Sequence, residues 1–81
     1  MILGKVIGNV VSTKKAPEIV GCSLLLIDPV YEGDTFVAAD TMGAGIGEMV
    51  LVTTDNTHVA AHRELPIDAM IIGIVDNEPK L

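Results

Sequence analysis

Ala69-Met70-Ile71-Ile72-Gly73-Ile74-Val75-Asp76 is aliphatic on both faces when it is read with the two-residue period of a strand. Leu24 to Ile27 and Met49 to Val52 behave the same way, running apolar where a strand with one wet face would alternate. Strands of this kind ask to be dry on both sides. The opening segment, Ile2 to Val11, places Ile2, Gly4, Val6, Gly8 and Val10 on one face and Leu3, Lys5, Ile7, Asn9 and Val11 on the other. Gly4 and Gly8 then share a side, where missing side chains relieve crowding in a tightly curved sheet or admit another backbone.

Turn chemistry sets the limits of the other strands. A polar stretch, Ser12-Thr13-Lys14-Lys15-Ala16-Pro17, leads back into a second strand, Ser23 to Asp28, which stops at Pro29 because proline has no N–H for a ladder. Glu32-Gly33-Asp34 reads as a turn, Thr35 to Ala39 as a third strand and Glu48 to Thr54 as a fourth, broken by Asp55-Asn56. Thr57 to Arg63 is expected to make about two helical turns capped by Asn56 or Thr57 and ended by Pro66. Asn77 to Leu81 reads as a tail. The 81 residues suffice for one domain, residues 1–81, and at that length five strands and one short helix fit a small closed or nearly closed barrel better than a sandwich.

A barrel has one interior, and one short helix cannot cover its outside. The remaining outer aliphatic surface is therefore expected to be buried against other copies of the chain. Covering about 600 Å² of apolar surface per subunit is worth about 15 kcal/mol before the losses of association are subtracted. The alternative is a monomer whose helix and loops cover the excess.

Composition excludes several function classes. The longest uncharged aliphatic stretches, Cys22 to Ile27 and Ala69 to Val75, fall well short of the roughly 20 residues of a membrane span. The N-terminus has no signal-peptide pattern, so the expected location is the cytoplasm. A net charge of −6, with Lys5, Lys14, Lys15, Arg63 and Lys80 scattered, offers no basic stripe for nucleic acid. Tyr31 and Phe36 are the only aromatic rings on which bases would stack. A small OB-like barrel binding a ligand or nucleic acid is thus the second reading, motivated by fold class alone. Cys22, among aliphatic neighbours, reads as a buried small hydrophobe.

No constellation makes a convincing catalytic centre. Asp40-Thr41-Met42-Gly43-Ala44-Gly45-Ile46-Gly47-Glu48 is glycine-rich, but a β-rich run follows it where a phosphate loop would open a helix. It reads instead as a tight loop with close backbone packing at a subunit contact, where Gly45→Val is expected to disrupt assembly if the position needs positive φ or close approach. His58 and His62 share a face of the proposed helix, and Glu64 lies near in sequence, but two ligands do not make a metal site. Asp28, Asp40, Glu48, Asp68 and Asp76 each stand at or near a strand end, where a carboxylate caps turn amides or pairs with lysine. No enzyme activity, metal or cofactor is expected.

The sequence resembles the pentameric microcompartment vertex proteins, which include the carboxysome vertex protein and its ethanolamine-utilisation homologue. Leu3 to Lys14, Gly21 with Leu24-Leu25-Leu26, Asp40 to Val52 and Pro66 to Asp76 carry the likeness, in the family's order and over most of the chain. GAGxGE and the closing DAxIxGIVD-like segment are specific when found together. Around Asn56 to Ala61 the chain departs from the family pattern. The resemblance implies an all-β, five-stranded OB-like barrel that forms a homopentameric ring around a narrow opening. It also implies a structural role, capping the vertices of a polyhedral shell beside hexagonal shell proteins. In that reading Asp40, Thr41, Gly43, Ala44, Gly45, Gly47 and Glu48 lie at the subunit interface and the central opening.

Overall fold

A computed structural model describes residues 1–11, 17, 21–54, 59–60, 63–64 and 68–76. Its strands are β1 (Ile2–Val10), β2 (Ser23–Pro29), β3 (Phe36–Asp40), β4 (Met49–Thr53), β5 (Val59–Ala60), β6 (Arg63–Glu64) and β7 (Met70–Val75). Five of them close a barrel in the order β1-β2-β3-β7-β4, with β4 pairing back onto β1. Every pairing in it is antiparallel except β3 with β7, a parallel seam that matches Ala39 to Met70. There the Ala39 N–H donates to the Ala69 carbonyl at 2.9 Å. This is an OB-like arrangement, and closure leaves none of its five strands as a free edge.

Period two sorts the side chains. Val6, Leu25, Ile27, Ala38, Val50, Val52, Ala69 and Ile71 point inward and make the core, with Ile2, Phe36, Ala44 and Ile74 packed against it. Leu25, Ile27, Ile71, Val6, Val50 and Val52 are all but fully buried. Truncating one of the larger ones, such as Ile71→Ala, removes about 2–5 kcal/mol of stability. The intervening residues, Leu24, Leu26, Val37, Leu51 and Val75, face outward on the same strands and are also aliphatic. Cys22 is buried, as its neighbours in sequence suggest.

Two register breaks reshape this pattern. In β1 the pairing with β2 jumps from Val6↔Ile27 to Gly8↔Leu26, leaving Ile7 as an extra residue. In β7 the pairing with β4 jumps from Leu51↔Gly73 to Val52↔Ile71, leaving Ile72 as the extra residue. A bulge inverts the phase of the strand beyond it. Gly4 and Gly8 therefore do not share a face, contrary to the simple alternation. A Cβ on Gly4 would collide inside the barrel with Ile27 Cγ2, whereas one on Gly8 would rest at 3.9 Å from Leu26 Cβ on the outer wall.

The expected helix over Thr57 to Arg63 is not formed by its described residues. Val59 pairs with Glu64 and Ala60 with Arg63 in an antiparallel hairpin, and no α-helix occurs among the described residues. Two turns gain too few hydrogen bonds to offset helix nucleation, and β-branched valine is at ease in a strand. Residues 57, 58, 61 and 62 of that expectation, the expected tail, and most of the Ser12 to Pro17 turn lie outside the described residues.

Candidate subunit interface

The loop between β3 and β4 is organised by two carboxylates at its ends. Asp40, the last residue of β3, is 3% exposed, and its Oδ1 accepts from the Met42 N–H at 2.8 Å. Its Oδ2 accepts from the Gly43 N–H at 3.1 Å and the Ala44 N–H at 2.8 Å. An aspartate that folds back on the following amides in this way fixes a turn without help from distant residues. At the other end Glu48 Oε1 accepts from the Gly45 N–H at 2.6 Å, and the Glu48 N–H donates to the Gly45 carbonyl at 3.1 Å. The loop is then stitched to β1 by two backbone bonds, Gly47 N–H to the Val6 carbonyl at 2.8 Å and Val6 N–H to the Glu48 carbonyl at 2.9 Å.

Each consecutive amide from Met42 to Gly45 is thus already taken by a carboxylate of the same chain. A phosphate would need those N–H groups free and would meet two negative charges, so the glycine-rich run is not a phosphate cradle. Turning the polar groups into the loop leaves Met42 and Ile46 standing out into solvent, Ile46 64% exposed. The backbone requirement for glycine falls at Gly43 (φ +85) and Gly47 (φ +93), both in the left-handed region. Gly45 has no positive φ, and a Cβ there would meet only Glu48 Oε1 at 3.3 Å. Within one subunit Gly45 is therefore not the strained position that the sequence pattern suggests.

Of the residues singled out from sequence, the structure gathers Asp40, Gly43, Ala44, Gly45 and Glu48 into one hydrogen-bonded unit, with Gly47 anchoring it and Thr41 exposed at its turn. Asp28, another strand-end carboxylate, lies opposite Lys5 in the β1–β2 pairing. His58 and His62 fall outside the described residues. Among the described residues no group of three His, Cys, Asp or Glu side chains is placed to hold a metal ion.

The barrel wall completes the surface. Ile7, Val37 and Ile72 are 44%, 41% and 45% exposed although all three sit on barrel strands. Both bulge residues are among them, each an isoleucine left without a ladder partner and exposed on the outer wall. Sequence reading found the aliphatic outer faces but had no signal for the bulges, since a bulge is a property of two strands together. Shallow recesses remain beside Phe36, Val37, Thr54, Asp68 and Ala69, and beside Met1, Leu3, Pro29, Tyr31 and Glu32.

A closed barrel with aliphatic outer walls and a loop that satisfies its own polar groups defines a subunit class, that of small β-barrels built to pack side by side. The family model described as ethanolamine utilisation protein EutN/carboxysome matches residues 1–76, and the chain belongs to that family. The microcompartment shell vertex protein GrpN of Rhodospirillum rubrum is 42% identical over 94% of this chain and 93% of its own length. The carboxysome shell vertex protein CcmL of Gloeobacter violaceus is 40% identical over 94% of this chain and 83% of its own. The structure of GrpN, described as a pentameric microcompartment shell protein, covers 100% of this chain and 99% of its own with a TM-score of 0.80. EutN of Escherichia coli superposes with a TM-score of 0.84 at 33% identity, over 99% of this chain and 89% of its own.

Proposed function

We propose that this chain is a structural subunit of a bacterial microcompartment shell, forming a homopentamer that caps a vertex of the polyhedron in the cytoplasm. One observation carries the reading: a barrel whose strands expose Ile7, Val37 and Ile72 on the outer wall, on a chain alike over almost its whole length to a pentameric shell protein. Heterologous contacts between such walls close into a ring, and a ring of five supplies the pentagon that flat hexagonal tiles lack. Residues 1–81 act as one unit, and the neighbours in the shell are hexagonal shell proteins.

The role is structural and not catalytic, in keeping with relatives named as shell vertex proteins. A nucleic-acid-binding barrel is not favoured. Tyr31 lies on the β2–β3 loop while Phe36 packs against the core, so the two rings do not form a stacking platform, and the net charge is −6.

The loop formed by Asp40, Thr41, Gly43, Ala44, Gly45, Gly47 and Glu48 is assigned to the subunit contact beside the central opening. Its support is the rigid, internally satisfied backbone, which presents Met42 and Ile46 to a neighbour. Because Gly45 tolerates a side chain within one subunit, Gly45→Arg is expected to keep the fold and lower the fraction of rings in size-exclusion chromatography with light scattering. An unchanged ring fraction removes the loop from the contact. In a host that makes the shell, deletion of this chain is expected to leave shells that fail to close when viewed by electron microscopy. Closed shells of normal shape in that strain contradict the vertex role.

A further inference from the structure

We propose that the end of the barrel formed by the β2–β3 loop and the start of β1, an apolar patch centred on Tyr31 with an acidic rim, seats the chain against a neighbouring hexagonal shell protein, and that the facing edge of that partner is apolar and basic. The inference rests on the vertex reading above and adds the residues and the chemistry of the contact.

Pro29, the last residue of β2, pairs with Gly4 of β1, and the next residue, Val30, donates its N–H to the Leu3 carbonyl at 2.9 Å. The start of the loop is thereby pinned to β1, with Pro29 fixing its own φ. Side chains on a backbone held this way lose little freedom when a partner arrives. What the loop holds out is Tyr31, 61% exposed, beside Val30 at 40% and Met1 at 73%. Met1, Ile2, Leu3, Pro29, Tyr31 and Glu32 line one shallow recess of about 150 Å³, so the patch is continuous and not a scatter of single apolar residues. Of the two aromatic rings in the chain, Phe36 packs against the core and Tyr31 faces solvent. A tyrosine among aliphatic neighbours is the kind of side chain that anchors the centre of an interface.

Position and charge name the occupant. β2 carries the chain over seven residues from Ser23, which pairs with Asp40 at one end of the barrel, to Pro29 at the other, about 20 Å away at 3.3 Å per residue. The Asp40 to Glu48 loop is assigned to the central opening, so the Tyr31 end of each subunit points away from it, toward the perimeter of the ring. A perimeter surface meets what surrounds the ring. Charge separately disfavours a second copy there. Glu32 and Asp34 are exposed on the same loop, and Lys5 already lies opposite Asp28 in the β1–β2 register. Another copy of a chain of net charge −6 would bring the same acidic rim, whereas an edge that sets lysine or arginine around an apolar centre matches it.

The test uses the full chain, made alone and together with the hexagonal shell proteins of its own host. Tyr31→Glu alters an exposed side chain, and a thermal melt checks that the barrel survives. Alone, the variant should form rings in the same fraction as the unaltered chain by native mass spectrometry. Made with the hexagonal proteins, it should be recovered in purified shells at no more than a tenth of the unaltered level. Glu32→Lys combined with Asp34→Lys reverses the rim and leaves the apolar centre in place; it should give the same two results, and it carries the test if Tyr31→Glu does not fold. Loss of rings in a folded variant places the patch between copies and overturns the proposal. Normal recovery of Tyr31→Glu in shells overturns the site, and normal recovery of the rim variant overturns the basic partner. An unaltered chain that forms no rings and enters no shell overturns the vertex reading itself.

Discussion

Gly4, Gly43 and Gly47 are glycines for different reasons, and each reason gives a number. Gly4 has no room, so Gly4→Ala forces overpacking against Ile27 and is expected to lower stability by about 1–3 kcal/mol in urea unfolding. Gly8→Ala, with open contact at Leu26, is expected to change the fold's stability by less than about 1 kcal/mol. Gly43 and Gly47 have open space but left-handed φ, so alanine there costs about 1–2 kcal/mol through the backbone alone. A larger loss for Gly45→Ala than for Gly47→Ala in the same assay contradicts this ordering. Asp40→Ala strips the acceptors from three amides around a nearly buried position, with an expected loss of about 1–3 kcal/mol. That strand-end aspartates and glutamates cap turns was legible in the sequence, because a carboxylate followed by glycines has few better partners than the next amides. Which glycine carries the positive φ was not legible. A run of GxGxG looks the same whichever of them turns the chain.

At the scale of elements the strands were readable from β-branched and aliphatic runs bounded by Pro, Gly and Asp, and β2, β3, β4 and β7 fall where those signals place them. The bulges at Ile7 and Ile72 were invisible, since period two within one strand carries no information about where its partner slips. The segment from Thr57 to Arg63 misled for a related reason. Local capping signals favour a helix, but the described residues pair antiparallel, Val59 with Glu64 and Ala60 with Arg63, which no local pattern announces. The far-ultraviolet circular dichroism of the chain is accordingly expected to be that of a β-protein without the helical double minimum. A clear helical contribution contradicts the hairpin. The candidate loop was legible as a unit, but its hydrogen bonding to β1 through Val6 depends on β4 returning beside β1, a tertiary fact.

For the whole molecule, the decisive balance is between a thin core and an outer wall that is nearly as apolar. A barrel of this size leaves a large share of its surface in water, and with Ile7, Val37, Ile46 and Ile72 exposed a lone copy holds hydrophobic area where solvent penalises it. Burial of that area between copies is the source of assembly, and closure into a ring limits growth that an open head-to-tail contact would continue into a filament. The most direct check is the native mass of the purified chain at micromolar concentration. Five copies of the 8.5 kDa subunit should give a closed species of about 43 kDa that persists on dilution until the walls separate. A chain that remains at the mass of one subunit across that concentration range contradicts the claim that its outer walls exist to bind one another.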